Sequence, residues 1–160
     1  VPIDPPQQSL YRQESPLEFG GAGMVSTAED YLRLAQMLVN GGELNGVRLL
    51  SPKTVQLMTT DHITDTLGDN PMGQLFGGDA FTGIGFGLTG SVVLSPAANG
   101  NTGSVGEFSW GGAASTDFWI DPTEKLVGLV LTQLMPAGAE PTRTKMHQMT
   151  YQAITESYSK

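Results

Sequence analysis

One stretch, residues 103–133, limits what this chain can fold into more than any other part of the sequence. It reads GSVGEFSWGGAASTDFWIDPTEKLVGLVLTQ. Residues 116–120 pass from polar Thr-Asp to apolar Phe-Trp-Ile, and residues 126–131 are almost wholly apolar after an Asp-Pro-Thr-Glu turn. This pattern predicts a β-hairpin followed by a buried strand. The adjacent Gly111 and Gly112 have two interpretations: they let a ligand approach the backbone, or they only pack a core hairpin.

The residues before this stretch predict two helices within residues 26–60. Ser26 followed by Glu29 forms a capping box, apolar residues then recur at helical spacing, and Asn-Gly-Gly at 40–42 ends the helix. Ser51 followed by proline predicts the start of a second helix that runs through Met58. Their apolar residues are interpreted as core rather than as a cofactor surface.

The other segments are assigned from composition and periodicity. Residues 1–23 predict an irregular segment, residues 44–47 a tight turn, and residues 67–83 a long loop. Residues 86–94 are predicted to form one strand, and residues 95–103 are predicted to form a loop. All strands of the sheet are expected within residues 84–133. A last helix over residues 142–158 would place Met146, Met149, Ala153 and Ile154 on one face. The order of these elements predicts an α+β fold, an antiparallel sheet with the C-terminal helix packed on it.

Three motifs, taken in this order, resemble a known family of enzymes. Residues 20–31 read GGAGMVSTAEDY, residues 49–55 read LLSPKTV, and Trp110-Gly111-Gly112 leads into the hairpin whose second strand ends in Phe-Trp-Ile-Asp-Pro at 118–122. Together they resemble serine esterases of the β-lactamase and penicillin-binding-protein family, in particular carboxylesterases similar to class C β-lactamases. The resemblance covers nearly all of the chain and is weakest between residues 60 and 81. It implies a β-lactamase/transpeptidase-like fold, of which residues 1–160 would be the C-terminal portion, with 1–23 helping to wall the active-site cleft.

The resemblance also implies a site. Trp110-Gly111-Gly112 corresponds to the family's third motif, whose glycines let substrate lie along the strand. The backbone N–H of Ala113, just after this motif, would be one of two donors to the oxyanion of an acyl-transfer reaction. Many relatives have Lys-Thr-Gly here, whereas Trp110 offers an apolar face and one N–H donor. We therefore expect an uncharged small-molecule ester as substrate, with weak activity on β-lactams as a side reaction.

The family's Ser-x-x-Lys nucleophile motif has no good counterpart in this sequence. The match at Ser157 to Lys160 lies at the end of the predicted terminal helix, where a frayed terminus is unsuited to a nucleophile. We expect the nucleophile and general base to lie outside this chain, in an N-terminal part of the same enzyme. That part, or another copy, would also cover the sheet edge left open. A binding or interaction module that keeps the fold and has lost the reaction is the alternative.

Charge and composition exclude several other classes of function. The net charge is −8, and no lysine or arginine occurs from residue 54 to 124. An acidic surface repels phosphate backbones and anionic lipids, so neither nucleic acid nor a membrane surface is an expected partner. His62 and His147 form no zinc or triad motif, cysteine is absent, and nothing implies a metal or organic cofactor. The lack of cysteine fits a bacterial cytoplasm or periplasm alike.

Overall fold

A computed structural model describes residues 4–14 and 24–158 of this chain. Within them the helices are α1 (Ala28–Val39), α2 (Pro52–Met58), α3 (Thr64–Leu67), α4 (Pro71–Phe76), α5 (Pro96–Asn99) and α6 (Thr142–Gln152). The strands are β1 (Glu43–Leu44), β2 (Val47–Arg48), β3 (Ile84–Phe86), β4 (Ser91–Val93), β5 (Phe108–Gly111), β6 (Asp117–Asp121) and β7 (Leu126–Val130). No helix in these described ranges is long and apolar enough to cross a membrane.

The centre of the fold is an antiparallel sheet in the order β3-β4-β5-β6-β7. The predicted hairpin is β5 and β6, and the predicted buried strand is β7, so this prediction is confirmed. The α+β fold with an antiparallel sheet and a C-terminal helix is also confirmed. β1 and β2 form a separate two-residue ladder across the turn at Asn45 and Gly46, whose positive φ angles suit a tight hairpin.

The two faces of the sheet are covered by different helices. Ala35 of α1 packs on Val92, Phe108 and Ile120, which point to one face. Neighbouring residues of a strand point to opposite faces, so Ser109 and Trp119 point to the other, where α6 lies. The core therefore consists of two layers of side chains, one between the sheet and α1 and the other between the sheet and α6.

The first predicted helix is correct, but its cap is not Ser26. The N-cap is Thr27, whose hydroxyl accepts a hydrogen bond from the Asp30 N–H at 3.1 Å. The capping-box spacing pointed to Ser26, whereas Thr27 puts its hydroxyl three positions before a backbone donor at the true start. The second helix begins with Ser51 as N-cap and ends at Met58, as predicted.

Three loop and strand assignments are wrong in detail. The predicted loop at 67–83 contains α4, which Asn70 caps and Pro71 starts. The single strand predicted at 86–94 is a hairpin, because β3 ends at Phe86 and β4 begins at Ser91. Residues 95–103 include α5, one helical turn.

The last helix differs from the prediction in length and in orientation. α6 ends at Gln152 rather than at 158. Met146 and Met149, predicted to face the core, are 43% and 63% exposed, whereas His147 is buried. Of the predicted irregular segment 1–23, only residues 4–14 are described, with a 3-10 turn at Leu10–Arg12. Residues 20–23 of the first motif lie outside the described residues.

Candidate active site

Among residues 4–14 and 24–158, no strand pairs with the β4-facing edge of β5 beyond Ser109. β6 pairs with β5 from Phe108 through Gly111. β4 pairs with it only at Phe108 and Ser109, and this ladder stops there. An unpaired strand edge presents backbone donors and acceptors to whatever lies beside it. The segment predicted to line the substrate therefore has a free backbone edge within the described chain.

The two glycines of the motif have different surroundings. A Cβ added at Gly111 would lie 2.2 Å from Oδ1 of Asp117, so this glycine makes room for a carboxylate of the neighbouring strand. At Gly112 the nearest atom would be the Thr116 carbonyl oxygen at 3.6 Å, an ordinary contact. Packing therefore explains why position 111 is a glycine, and this is one of the two interpretations left open by the sequence. Gly112 has open space beside it.

Ala113 lies in the turn between β5 and β6 and is exposed. The Gly112 N–H donates to the Thr116 carbonyl at 2.7 Å, which closes the turn. The N–H of Ala113 makes no hydrogen bond to any residue in the described part of the chain. A backbone donor at an exposed turn is available to a ligand or to solvent.

The turn is held in place by the segment that follows β7. The Ser115 hydroxyl donates to the Leu134 carbonyl at 2.8 Å, and the Thr132 hydroxyl donates to the Ser115 carbonyl at 2.6 Å. The Leu134 N–H donates to the Ala114 carbonyl at 3.0 Å. Ser115 is buried although its φ is +60°. These bonds fix the backbone on the C-terminal side of Ala113.

The Trp110 side chain is half-buried against two phenylalanines. Its ring centroid lies 5.1 Å from that of Phe86 and 6.0 Å from that of Phe76, both in edge-on geometry. Its indole N–H has no hydrogen-bond partner among the described residues. The indole is thus anchored by aromatic packing and keeps one donor.

Sequence reasoning missed Arg143, a basic side chain that contacts the residue before this motif and the residue paired with Gly111. Its Nη2 donates to the Ser109 hydroxyl at 2.8 Å, and its Nη1 lies 3.7 Å from Oδ1 of Asp117. Burial raises the pKa of Asp117, and the charge of Arg143 partly opposes that rise. The contact spans 34 positions of sequence, and no local spacing signals it.

A buried polar cluster lies behind the hairpin, on the α6 side. His147 Nε2 is 2.9 Å from Glu107 Oε2, and the Tyr151 hydroxyl lies 2.7 Å from both Glu107 and Asp121. Burial, followed by the charge of Glu107, raises the pKa of Tyr151. Asp121 also accepts the Ser104 N–H at 3.1 Å. This cluster borders a cavity of about 360 Å³ between α6 and the sheet. The four-residue spacing of His147 and Tyr151 on a helix was the available signal.

The remaining candidate residues have ordinary structural roles where they are described. His62 Nε2 is 2.8 Å from the Leu57 carbonyl. Ser157 is hydrogen-bonded to Glu124, and residues 159–160 of its Ser-x-x-Lys match lie outside the described residues. No group of three or more possible metal ligands occurs in residues 4–14 and 24–158.

The model of the family described as Beta-lactamase matches residues 1–150 of the sequence. The chain belongs to the β-lactamase family. Among curated proteins, protein Rv1367c of Mycobacterium tuberculosis (strain ATCC 25618 / H37Rv) is 43% identical over 119 residues. That match covers 72% of this chain and 29% of the relative. The chain thus spans less than a third of this relative's length.

Solved structures agree with the family assignment. EstCE1, described as a hydrolase with promiscuous acyltransferase activity, is similar with a TM-score of 0.67 and 26% identity, covering 82% of this chain and 31% of that one. The LovD6 variant of simvastatin synthase from Aspergillus terreus has a TM-score of 0.71 and 29% identity, covering 91% and 38%. The fold is therefore that of β-lactamase-like serine hydrolases.

Proposed function

We propose that this chain supplies the oxyanion donor and the substrate-lining strand of a serine carboxylesterase. Ala113 would donate its backbone N–H to the oxyanion, and Trp110, Gly111 and Gly112 would line the substrate. The observation that carries this proposal is that Ala113 is an exposed residue whose N–H has no acceptor in the described chain, just beyond the open edge of β5.

The reaction would be acyl transfer through a covalent intermediate. A serine hydroxyl attacks the ester carbonyl carbon, a lysine or tyrosine takes the hydroxyl proton, and the carbonyl oxygen becomes an oxyanion held by two N–H donors. Collapse breaks the ester C–O bond, and the base gives its proton to the departing oxygen, which leaves as the alcohol. Water then attacks the acyl-enzyme carbonyl, which releases the acid and restores the serine hydroxyl. Loss of one such donor typically raises the barrier by about 2.7 to 4 kcal/mol. We place the Ser-x-x-Lys motif and the general base in polypeptide outside these 160 residues, and call the two parts together the complete enzyme.

Short uncharged esters are the substrates this site suits best. Trp110 stands where a lysine would attract a carboxylate, and the nearby Arg143 is already engaged by Asp117 and Ser109. An anionic substrate would lose hydration without gaining a free cation. β-Lactams that carry a carboxylate should therefore be poor substrates, with weak turnover as a side activity.

The outer edge of β7 supports a second polypeptide segment as partner. Within the described residues β7 pairs only with β6, and Leu126–Val130 contains no proline that would block pairing. We propose that a strand of the N-terminal part of the same enzyme, or of another copy, pairs there. Light scattering of the 160-residue chain should show dimers or aggregates. The complete enzyme should show less association in the same measurement. A stable monomer of the isolated chain would contradict this pairing.

The test measures two properties of the complete enzyme: its kcat/KM for two substrates and the serine that a phosphonate modifies. p-Nitrophenyl butyrate should be hydrolysed with a higher kcat/KM than a cephalosporin that carries a carboxylate. A serine-reactive phosphonate should label one serine, located outside residues 1–160 by peptide mass spectrometry. The isolated 160-residue chain serves as the matched control. It should neither hydrolyse the substrates nor react with the phosphonate.

Two results would overturn the proposal. Faster hydrolysis of the cephalosporin than of the ester would refute the substrate class. A complete enzyme that neither hydrolyses esters nor reacts with the phosphonate would instead favour a binding module that keeps the fold.

A further inference from the structure

Arg143 of α6 joins the two strands that carry the candidate site. Its guanidinium contacts Ser109 of β5 at 2.8 Å and approaches Asp117 of β6 at 3.7 Å. Ser109 comes directly before Trp110, and Asp117 is the register partner of Gly111. One planar group therefore contacts the hairpin on both sides of its open end.

The contact continues into the neighbouring strand. The Ser91 hydroxyl of β4 donates to the Ser109 carbonyl at 2.8 Å and lies 3.0 Å from the Ser109 hydroxyl. Ser91 and Ser109 are the last pair of the β4–β5 ladder. Arg143 thus acts at the point where β5 loses its partner strand and its edge becomes open.

Gly111 places the Asp117 carboxylate where the guanidinium meets it. The carboxylate occupies the space that a Cβ at position 111 would need, and its side chain is only 12% exposed. A carboxylate removed from water needs a charged or hydrogen-bonding partner. Arg143, which belongs to α6 rather than to the sheet, supplies this partner: its positive charge favours the ionised carboxylate of Asp117.

We propose that Arg143 is a positioning residue, which holds the Trp110 to Ala113 segment in the geometry that presents the Ala113 N–H. This inference rests on the proposed esterase function and extends it to a residue of the C-terminal helix. The polar partners of Arg143 in the described chain are Ser109 and Asp117 rather than Ala113, so it would act on this segment through these two residues.

The first test reads the backbone without using activity. Arg143→Met in the complete enzyme should change the amide chemical shifts of Gly111, Gly112 and Ala113 in ¹H–¹⁵N spectra and speed their hydrogen exchange. Lys145→Met is the matched control, because it removes a cation from the exposed side of the same helix and should leave these amides unchanged. If Arg143→Met does not fold, Ser109→Ala removes only one acceptor of the guanidinium and should shift the same amides.

The second test separates positioning from stability in the complete enzyme. Arg143→Met should lower kcat by about 10- to 100-fold, because a small misplacement of a transition-state donor has effects of this size. KM for p-nitrophenyl butyrate should stay within about twofold, since a donor used mainly in the transition state contributes little to ground-state binding. Arg143→Lys should recover part of the loss.

Each outcome decides one of the two proposals. Unchanged amides in both the Arg143→Met and Ser109→Ala variants, or shifted amides with kcat and KM unchanged, would overturn the positioning role. Shifted amides in a complete enzyme that hydrolyses no ester, even as the wild type, would overturn the proposed function but leave the contact between Arg143 and this segment standing.

Discussion

Replacing each glycine of the motif by alanine tests the distinction between packing and access. In Gly111→Ala the new Cβ would lie 2.2 Å from Asp117 Oδ1, and an ordinary contact begins near 3.4 Å. The carboxylate must therefore retreat by about 1 Å, away from its position beside Arg143, because overpacked sites relax only by such shifts. We expect a loss of about 1 to 3 kcal/mol in the free energy of unfolding.

Gly112→Ala is the matched control. Its Cβ meets only the Thr116 carbonyl oxygen at 3.6 Å, so the free energy of unfolding should change by less than about 0.5 kcal/mol. Urea unfolding followed by tryptophan fluorescence measures both variants. When Asp117 is also replaced by alanine, Gly111→Ala should lower the free energy of unfolding much less, because the clashing carboxylate atoms are gone. Equal losses at the two glycines, or a full loss at Gly111 without Asp117, would refute this reasoning.

Three further expectations follow from contacts elsewhere in the fold. Thr27→Ala should lower the free energy of unfolding by about 1 kcal/mol through loss of the helix cap, with Ser26→Ala near neutral, as urea unfolding would measure. Tyr151→Phe should cost about 1 to 3 kcal/mol in the same assay, because it removes the hydroxyl that lies 2.7 Å from two buried carboxylates. The raised pKa of Asp117 means that the folded state binds its proton more tightly than the unfolded state, so stability falls as pH rises from the ordinary value of 3.8 through the folded pKa. Unfolding measured from pH 3 to 7 should show this fall reduced in Asp117→Asn, and identical pH dependence in the two proteins would contradict it.

The parts of the fold that could be predicted depend on local pattern. The β5–β6–β7 region can be predicted because the Asp-Pro turn separates two runs rich in apolar and aromatic residues. The sequence predicts one strand where β3 and β4 form a hairpin, because the turn at residues 87–90 lies inside a run that still alternates. The glycine-rich composition of residues 67–83 predicts a loop, although Asn70 and Pro71 give a cap followed by proline at the first helical position of α4.

The helix α6 shows where pattern alone fails. Its methionines recur at helical spacing, which predicts that they are buried. The structure instead buries His147, because Glu107 and Tyr151 supply partners for a polar ring. Tertiary contacts of this kind decide which face of a short helix is inside, and the sequence gives no local trace of them.

The candidate site divides in the same way. The segment Trp110 to Ala113 is predicted from its motif, and its role in lining the substrate stays a prediction. Arg143 could not be found, because its partners Ser109 and Asp117 are 34 and 26 positions away in the chain. The open space at Gly112 and the filled space at Gly111 also depend on strand register, which the sequence does not reveal.

The most direct test of the central claim is the amide resonance of Ala113 in the complete enzyme before and after reaction with a serine-reactive phosphonate. The phosphonate adduct carries an anionic oxygen where the oxyanion would lie. If Ala113 is the donor, its amide proton should move strongly downfield and exchange more slowly in the adduct, whereas the Lys145 amide should not move. An adduct that forms on serine while the Ala113 resonance stays unchanged would contradict the role of this chain in catalysis.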